Sequence, residues 1–199
     1  MVARSTRRRR GAFTLIEILV VVSIIGLLVA ILLPSLRRAR GQAKRVVCAS
    51  NLRSIGIGFG SYLSDTNDRM PYASFLPSIT PLPLEGDESI YIADVLLPHT
   101  GGNPKVFKCP RDETGRTRPE PNNRLSYFQT ERSSYEYRTR LGGLTVAEYA
   151  NSYERWTGRR NAENSFWILR DYNNFHGDGG SDGARRYLYS DGHVTDYEN

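Results

Sequence analysis

The chain has 199 residues, 39% of them hydrophobic and 24% charged, with a formal net charge of +6, enough for one domain with an appendage. Five arginines (Arg4, Arg7, Arg8, Arg9 and Arg10) precede a long apolar run, and subtracting these five from +6 leaves about +1 for everything after Ala12. The basic character therefore belongs to the leader, which removes most of the support for a nucleic-acid partner, and none is expected.

From Phe13 to Leu33 only Thr14, Glu17 and Ser23 are polar. As a helix this run of about 21 residues is roughly 30 Å long, the thickness of a bilayer's hydrocarbon core. A cleavable secretory signal has a shorter apolar core followed by a small-residue site; here Pro34 and the basic "SLRRARGQAKR" come next. The leading arginines favour a cytoplasmic N-terminus. Basic residues also follow the run, at Arg37, Arg38, Arg40, Lys44 and Arg45, so charge bias alone leaves orientation open, and a plain signal anchor is the bland alternative. Glu17 stands out because a carboxylate in lipid costs at least a few kcal/mol and usually marks function. One turn from the membrane face, it can also simply snorkel to the headgroups.

"GAFTLIEILVVVSIIGLLVAILLP" resembles the type IV prepilin N-terminus shared by pilins and type II secretion pseudopilins. The resemblance implies cleavage by a prepilin peptidase/methyltransferase and N-methylation of the new N-terminal residue, usually Phe. It also implies extraction by an inner-membrane assembly platform into a filament of like or related pilin subunits. The family's usual text has Gly directly before Phe-Thr-Leu-Ile-Glu, whereas here Ala12 separates Gly11 from Phe13. A cut after Ala12 makes Phe13 the methylated first residue and Glu17 the fifth, the family's position for the acid; a cut after Gly11 makes Ala12 first. The cut after Ala12 is favoured. Glu17 is then expected to meet the N-terminal amine of a neighbouring subunit, each charge offsetting the other's burial cost.

Pro34 lacks a backbone donor and is expected to kink the helix without ending it. Beyond it, apolar residues recur at helical spacing: Leu36, Ala39, Ala43, Val46 or Val47, Ile55, Phe59, and Tyr62 or Leu63. Arg37, Arg38, Lys44, Arg45 and Arg53 lie opposite, predicting an amphipathic continuation. Gly56, Gly58 and Gly60 weaken its end or allow close approach to a sheet, and "SDTNDRMP" ends it. One helix of about fifty residues is thus expected.

A second resemblance begins in this segment. "RRARGQAKRVVCASNLRSIGIGFGSYLSDTNDRMPYA", followed by "VFKCPRDE" and "FHGDGGSDGARRYLYSDGHV", is similar to the pilin-like proteins abundant in planctomycetes and related bacteria. The matching features are Cys48, Asn51-Leu52, the run from Tyr62 to Pro71, Cys109-Pro110, and His176 leading to Asp191-Gly192-His193-Val194. The last part departs from the compact family version, with "GSDGARR" reading as an insertion.

Further on, "SIYIADVLLPHTGG" reads as a short helix or strand, "PKVFKCP" as a short strand, and "RDETGRTRPEPNNR" as a turn-rich exposed loop. "SSYEYRTR" and "NSFWILRDY" read as strands. "ARRYLYSDGHVTDY" is the clearest hairpin, with Asp191-Gly192 suited to a type I′ turn. The expected fold is α+β, a pilin-like ladle with a long N-terminal helix on a small antiparallel β-sheet head. Its divisions are a leader at 1–12, a transmembrane helix at 13–34, an amphipathic continuation at 35–66 and a head at 67–199.

In this topology Cys48 and Cys109 both lie outside the cytoplasm. A disulfide between them closes a loop of about 60 residues and contributes roughly 4 kcal/mol in the chain-entropy model; the alternative is two buried free thiols. No C-x-x-C pair points to zinc. Asp171, Asn173, Asp178, Asp182 and Asp191 offer oxygen ligands among glycines, the chemistry calcium prefers, although the EF-hand spacing is missing. Asx turns are the bland reading of those residues, and a zinc set of His176, His193 and an aspartate has less support. Apart from calcium no cofactor is expected. No nucleophile elbow, H-E-x-x-H or phosphate loop appears, so no enzymatic role is expected. The leading expectation is a pseudopilin or minor pilin subunit, with a membrane-anchored binding module that never polymerises as the alternative.

Overall fold

The computed structural model describes residues 14–78, 90–113, 125–158, 166–177 and 183–196. The chain forms two compact units, one ending at Gln42 and one running from Ala43 onward. Helix α1, Leu15–Asp65, contributes to both and runs 51 residues through Pro34. It is long and apolar enough to cross a membrane by length and composition. From Leu15 to Leu36 every large aliphatic side chain is at least 45% exposed.

In the second unit one face of α1 is buried: Cys48, Leu52, Ile55, Gly58 and Phe59. The 4-3-3-1 spacing keeps these residues on one stripe. The face expected from periodicity is partly corrected, because Val46 and Val47 are exposed and Cys48, a small apolar side chain in its thiol form, takes the core position. The three glycines differ. A Cβ on Gly56 would meet Leu188 at 2.9 Å, and one on Gly58 would come within 2.6 Å of Thr100 Cγ2 and 3.0 Å of the His99 carbonyl oxygen, whereas Gly60 faces open space. The helix ends where Asn67 and Asp68 turn left-handed, at φ 53° and 59°, a conformation Asn and Asp tolerate better than most residues.

Helix α2 (Ile92–Leu96) buries Ile92, Ala93 and Leu96. Next come 3₁₀ turns at Pro98–Thr100 and Pro104–Phe107. The second replaces the strand expected at "PKVFKCP": Pro104 presets the first turn, and the Asn103 side chain caps it by accepting from the Lys105 N–H at 3.1 Å. Most of the loop expected at "RDETGRTRPEPNNR" lies outside the described residues. Helices α3 (Tyr127–Glu131) and α4 (Val146–Thr157) each open with a full capping box, Ser126 with Gln129 and Thr145 with Glu148, satisfying two orphan N–H groups reciprocally.

The head is α+β, as expected. Strands β1 (Tyr135–Tyr137), β2 (Trp167–Asp171), β3 (Arg186–Tyr189) and β4 (Val194–Asp196) form one antiparallel sheet in chain order. Glu136 and Arg170 face each other in the β1–β2 register and form a bidentate pair at 2.8 and 2.9 Å. The β3–β4 hairpin forms where expected, but its turn is not type I′. Among Ser190, Asp191 and Gly192 only Gly192 has positive φ, 86°, and its N–H bonds the Tyr189 carbonyl at 2.9 Å while Tyr189 N–H bonds His193 at 3.0 Å. This is the pattern of a type I turn followed by a left-handed glycine bulge.

The glycines give opposite expectations on substitution. Gly58→Ala should lower stability, because the added methyl meets backbone that cannot yield, and overpacking typically costs about 1–3 kcal/mol. Gly60→Ala should raise stability by up to about 1 kcal/mol through helix propensity. Urea unfolding of the full chain in detergent, followed by circular dichroism, distinguishes them; equal effects would contradict the close approach at Gly58.

Candidate functional site

Two arrangements in the chain have functional character. The first is the start of α1. The Thr14 N–H and hydroxyl both donate to Glu17 Oε2, at 2.8 and 2.7 Å, and the Glu17 N–H returns to Thr14 Oγ1 at 3.3 Å. Glu17 thus closes a capping box at the entry to an apolar helix. Reasoning that weighs Glu17 only as a membrane charge misses this role, although Thr-x-x-Glu before an apolar run signals it. Ala12 and Phe13, the expected cleavage and methylation residues, lie outside the described residues.

The second is a buried group in the head. Cys48 comes from α1, Cys109 from the segment after the Pro104–Phe107 turn, Asp171 from the end of β2, and His176 from the turn beyond it. All four residues are buried, and one ligand atom of each lies within 4.8 Å of the others. The Cys48 thiol donates to Asp171 Oδ1 at 3.3 Å and lies 3.4 Å from the Tyr135 hydroxyl. His176 Nε2 is 3.6 Å from Cys109 Sγ and 3.5 Å from Asp171 Oδ2. Both cysteines are free thiols. Sequence reasoning brought Cys48 and Cys109 together as a bridge or as two buried thiols; the structure adds Asp171 and His176 to the pair.

Burial governs the charges here. It pushes the Asp171 carboxyl up to about 7, against the Arg186 N–H and the Cys48 thiol, which both favour the carboxylate. Burial, with the charges of Arg111, Arg45 and Arg186, lowers His176 to about 4, so its ring is neutral at pH 7. The hydrogen bond with Cys109, followed by burial, pushes the Cys48 thiol up. The Cys48 thiol and the His176 imidazole therefore rest neutral beside a carboxyl that titrates near neutrality.

The oxygen-rich segment divides its duties. Asp171 turns into the cysteine group and accepts the Arg186 N–H at 2.7 Å. Asn173 Oδ1 accepts the Asn174 N–H at 2.8 Å, and Asp191 accepts the His193 N–H at 3.0 Å in the exposed β3–β4 turn. Asp178 and Asp182 lie outside the described residues. His193 stacks on Tyr189, with ring centroids 4.4 Å apart. The histidine that joins the metal-type donors is His176, and its companions are Cys48, Cys109 and Asp171.

A polar clamp holds Cys109 in place. The Cys109 N–H donates to Ser134 Oγ at 2.9 Å, and that hydroxyl donates to Asp112 Oδ2 at 2.7 Å. The Asp112 carboxylate also accepts the N–H groups of Tyr127 and Phe128 at the start of α3, at 3.1 and 2.8 Å. Ser134 in turn donates its N–H to Phe107 and accepts from Tyr172 N–H through its carbonyl. No sequence motif marks Ser134; Asp112 is visible only as the acid three residues after Cys109.

Comparison with known proteins bears on the N-terminal arrangement. Residues 7–33 match the family model described as the prokaryotic N-terminal methylation motif. The chain is 36% identical over 90 residues to the type IV major pilin protein PilA of Myxococcus xanthus, covering 45% of this chain and 39% of that protein. It is 39% identical over 59 residues to the type II secretion system core protein G of Pseudomonas aeruginosa, covering 30% of this chain and 42% of that protein. The chain thus spans about two fifths of the length of these curated relatives. No solved structure matches it.

The clamp is directly testable. Ser134→Ala leaves the buried Cys109 N–H without its acceptor and removes a donor from Asp112, so it should destabilise the head by about 1–3 kcal/mol. A shift in urea midpoint at unchanged slope would register that loss, and a midpoint equal to the parent's would show that the clamp is dispensable.

Proposed function

We propose that this chain, a member of the type IV pilin and pseudopilin family through its N-terminal segment, is a structural filament subunit, a pseudopilin or minor pilin. The observation that carries this reading is the methylation motif at residues 7–33 running into a 51-residue helix. That helix's aliphatic side chains stay exposed from Leu15 to Leu36. Such a surface needs a cover, and lipid before assembly and neighbouring helices after it both supply one.

In this reading the leader is removed on the cytoplasmic side between Ala12 and Phe13, and Phe13 is N-methylated by the same peptidase/methyltransferase. The helix crosses the inner membrane once, with its N-terminus cytoplasmic and its head periplasmic. An assembly platform then draws the subunit into a type II secretion or type IV pilus-like filament. A helical filament requires a head-to-tail interface that does not close. Glu17 has two tasks. Oε2 takes the Thr14 bonds that cap the helix, leaving Oε1 to accept from the Phe13 amine of a neighbouring subunit.

Mass spectrometry of the N-terminal peptide should find N-methyl-Phe13 as the first residue; an intact leader, or a cut beyond Leu33, would sink the prepilin reading.

Glu17→Gln separates the two tasks, because Gln at this position still serves a capping box but carries no charge. Processing and membrane insertion should persist. Recovery in sheared surface filaments should fall steeply, since removing one member of a buried ion pair costs about 3–5 kcal/mol. Parent-level incorporation of processed Glu17→Gln would favour the anchored module that never polymerises.

A further inference from the structure

We propose that Cys48, Cys109, Asp171 and His176 form a buried structural zinc site that ties the long helix to the sheet within the head. Two sulfurs, one imidazole nitrogen and one carboxylate oxygen make a four-donor set suited to tetrahedral Zn²⁺. Zinc–ligand distances of about 2.0–2.3 Å imply donors about 3.3–3.8 Å apart at the corners of a tetrahedron. The contacts of 3.3, 3.6 and 3.5 Å linking Cys48 to Asp171, Cys109 to His176, and His176 to Asp171 fall in that range. The whole set lies within 4.8 Å, so a small inward movement of the sulfurs closes it on an ion.

A disulfide accounts for less of this geometry. It engages two sulfurs and leaves Asp171 and His176, whose side chains are fully buried, with no reason to converge on them. Burying a carboxyl and an imidazole is costly unless each is well satisfied. Among the described residues His176 Nδ1 has no hydrogen-bond partner, and the ring's observed polar engagement lies on the Nε2 side, toward Cys109 and Asp171. An ion at the centre engages all four residues at once.

The charges also fit. Binding releases the two thiol protons to solvent, and Asp171 binds as the carboxylate. Two thiolates and a carboxylate outweigh the dication by a single negative charge. The charges of Arg45, Arg111, Arg185 and Arg186 act on Asp171 or His176 and are of the sign that offsets that residual charge. Imidazole binds zinc through a ring nitrogen that carries no proton. With four protein ligands the site is closed, the form that structural zinc takes. Its donors come from α1, the segment after the Pro104–Phe107 turn, the end of β2 and the following turn. Binding energy therefore becomes stability of the helix–sheet packing.

The test uses the full chain in detergent, reduced and freed of metal by chelator, and titrated with Co²⁺ and then Zn²⁺ under anaerobic conditions. We expect one Co²⁺ per chain, with a thiolate-to-cobalt charge-transfer band and tetrahedral d–d bands, both bleached by Zn²⁺. Cys109→Ser should lose the charge-transfer intensity contributed by its sulfur. His176→Gln, which keeps both thiols, should weaken zinc binding by at least about tenfold. Metal analysis of protein taken from the envelope should find zinc at one equivalent. Three results would overturn the proposal: no thiolate–cobalt band in the folded, reduced parent; an undiminished band in both Cys48→Ser and Cys109→Ser; or a Cys48–Cys109 disulfide in protein taken from the envelope. The parent titration does not depend on any variant folding.

Discussion

The constraint on which the rest depends is that one helix must satisfy two solvents. Over its first half α1 presents aliphatic side chains all round, and among the described residues none of them is buried. In water such a surface is strongly unfavourable, at roughly 25 cal/mol per Å² of apolar area. The helix must therefore end in lipid or against other helices. Its backbone makes that possible, since an α-helix satisfies its own hydrogen bonds without water. The places where it would fail to do so are its ends, and Thr14 and Glu17 close the N-terminal one.

Beyond Ala43 the same helix obeys ordinary core physics. A narrow stripe, Cys48 to Phe59, is buried, and glycine at 56 and 58 removes the side chains that would hold neighbouring elements away. Leu188 of β3 occupies the space opened by Gly56, and the Pro98–Thr100 turn the space opened by Gly58. The cysteine group extends this logic to polar atoms. Once Cys48 opens the buried stripe, whatever lies across from it must either be apolar or satisfy it, and the facing residues are Cys109, Asp171, His176 and Tyr135.

Polar groups in the head are handled in pairs and clamps. Asp112 caps α3 and steadies Ser134, which fixes Cys109. Glu136 and Arg170 meet across neighbouring strands, and the Arg170 guanidinium also covers the Trp167 ring at 4.6 Å. A loop-rich domain with a modest core gains order from such contacts, because each buried polar group left unpaired would cost about 1–3 kcal/mol.

The sequence by itself determined the long helix, its apolar first half, the prepilin-type motif and the strands at 135–137, 167–171, 186–189 and 194–196. These rest on local rules: uninterrupted apolar length, helical spacing and alternation with turn residues between. Sequence reasoning erred where two local signals competed. At "PKVFKCP" the β-favouring Val and Phe lost to Pro104 and the Asn103 cap, and at Ser190-Asp191-Gly192 the Asp-Gly pair adopted a single left-handed glycine rather than two left-handed residues. Only tertiary structure decided that Cys48 rather than Val46 or Val47 faces inward, that Asp171 leaves the oxygen-rich segment for two thiols, and that His176 pairs with them instead of with His193. Those donors lie 61, 123 and 128 residues from Cys48 by numbering, as 109, 171 and 176 less 48. No spacing rule reaches that far; the register of β1 on β2 and the packing of α1 against the sheet bring them together.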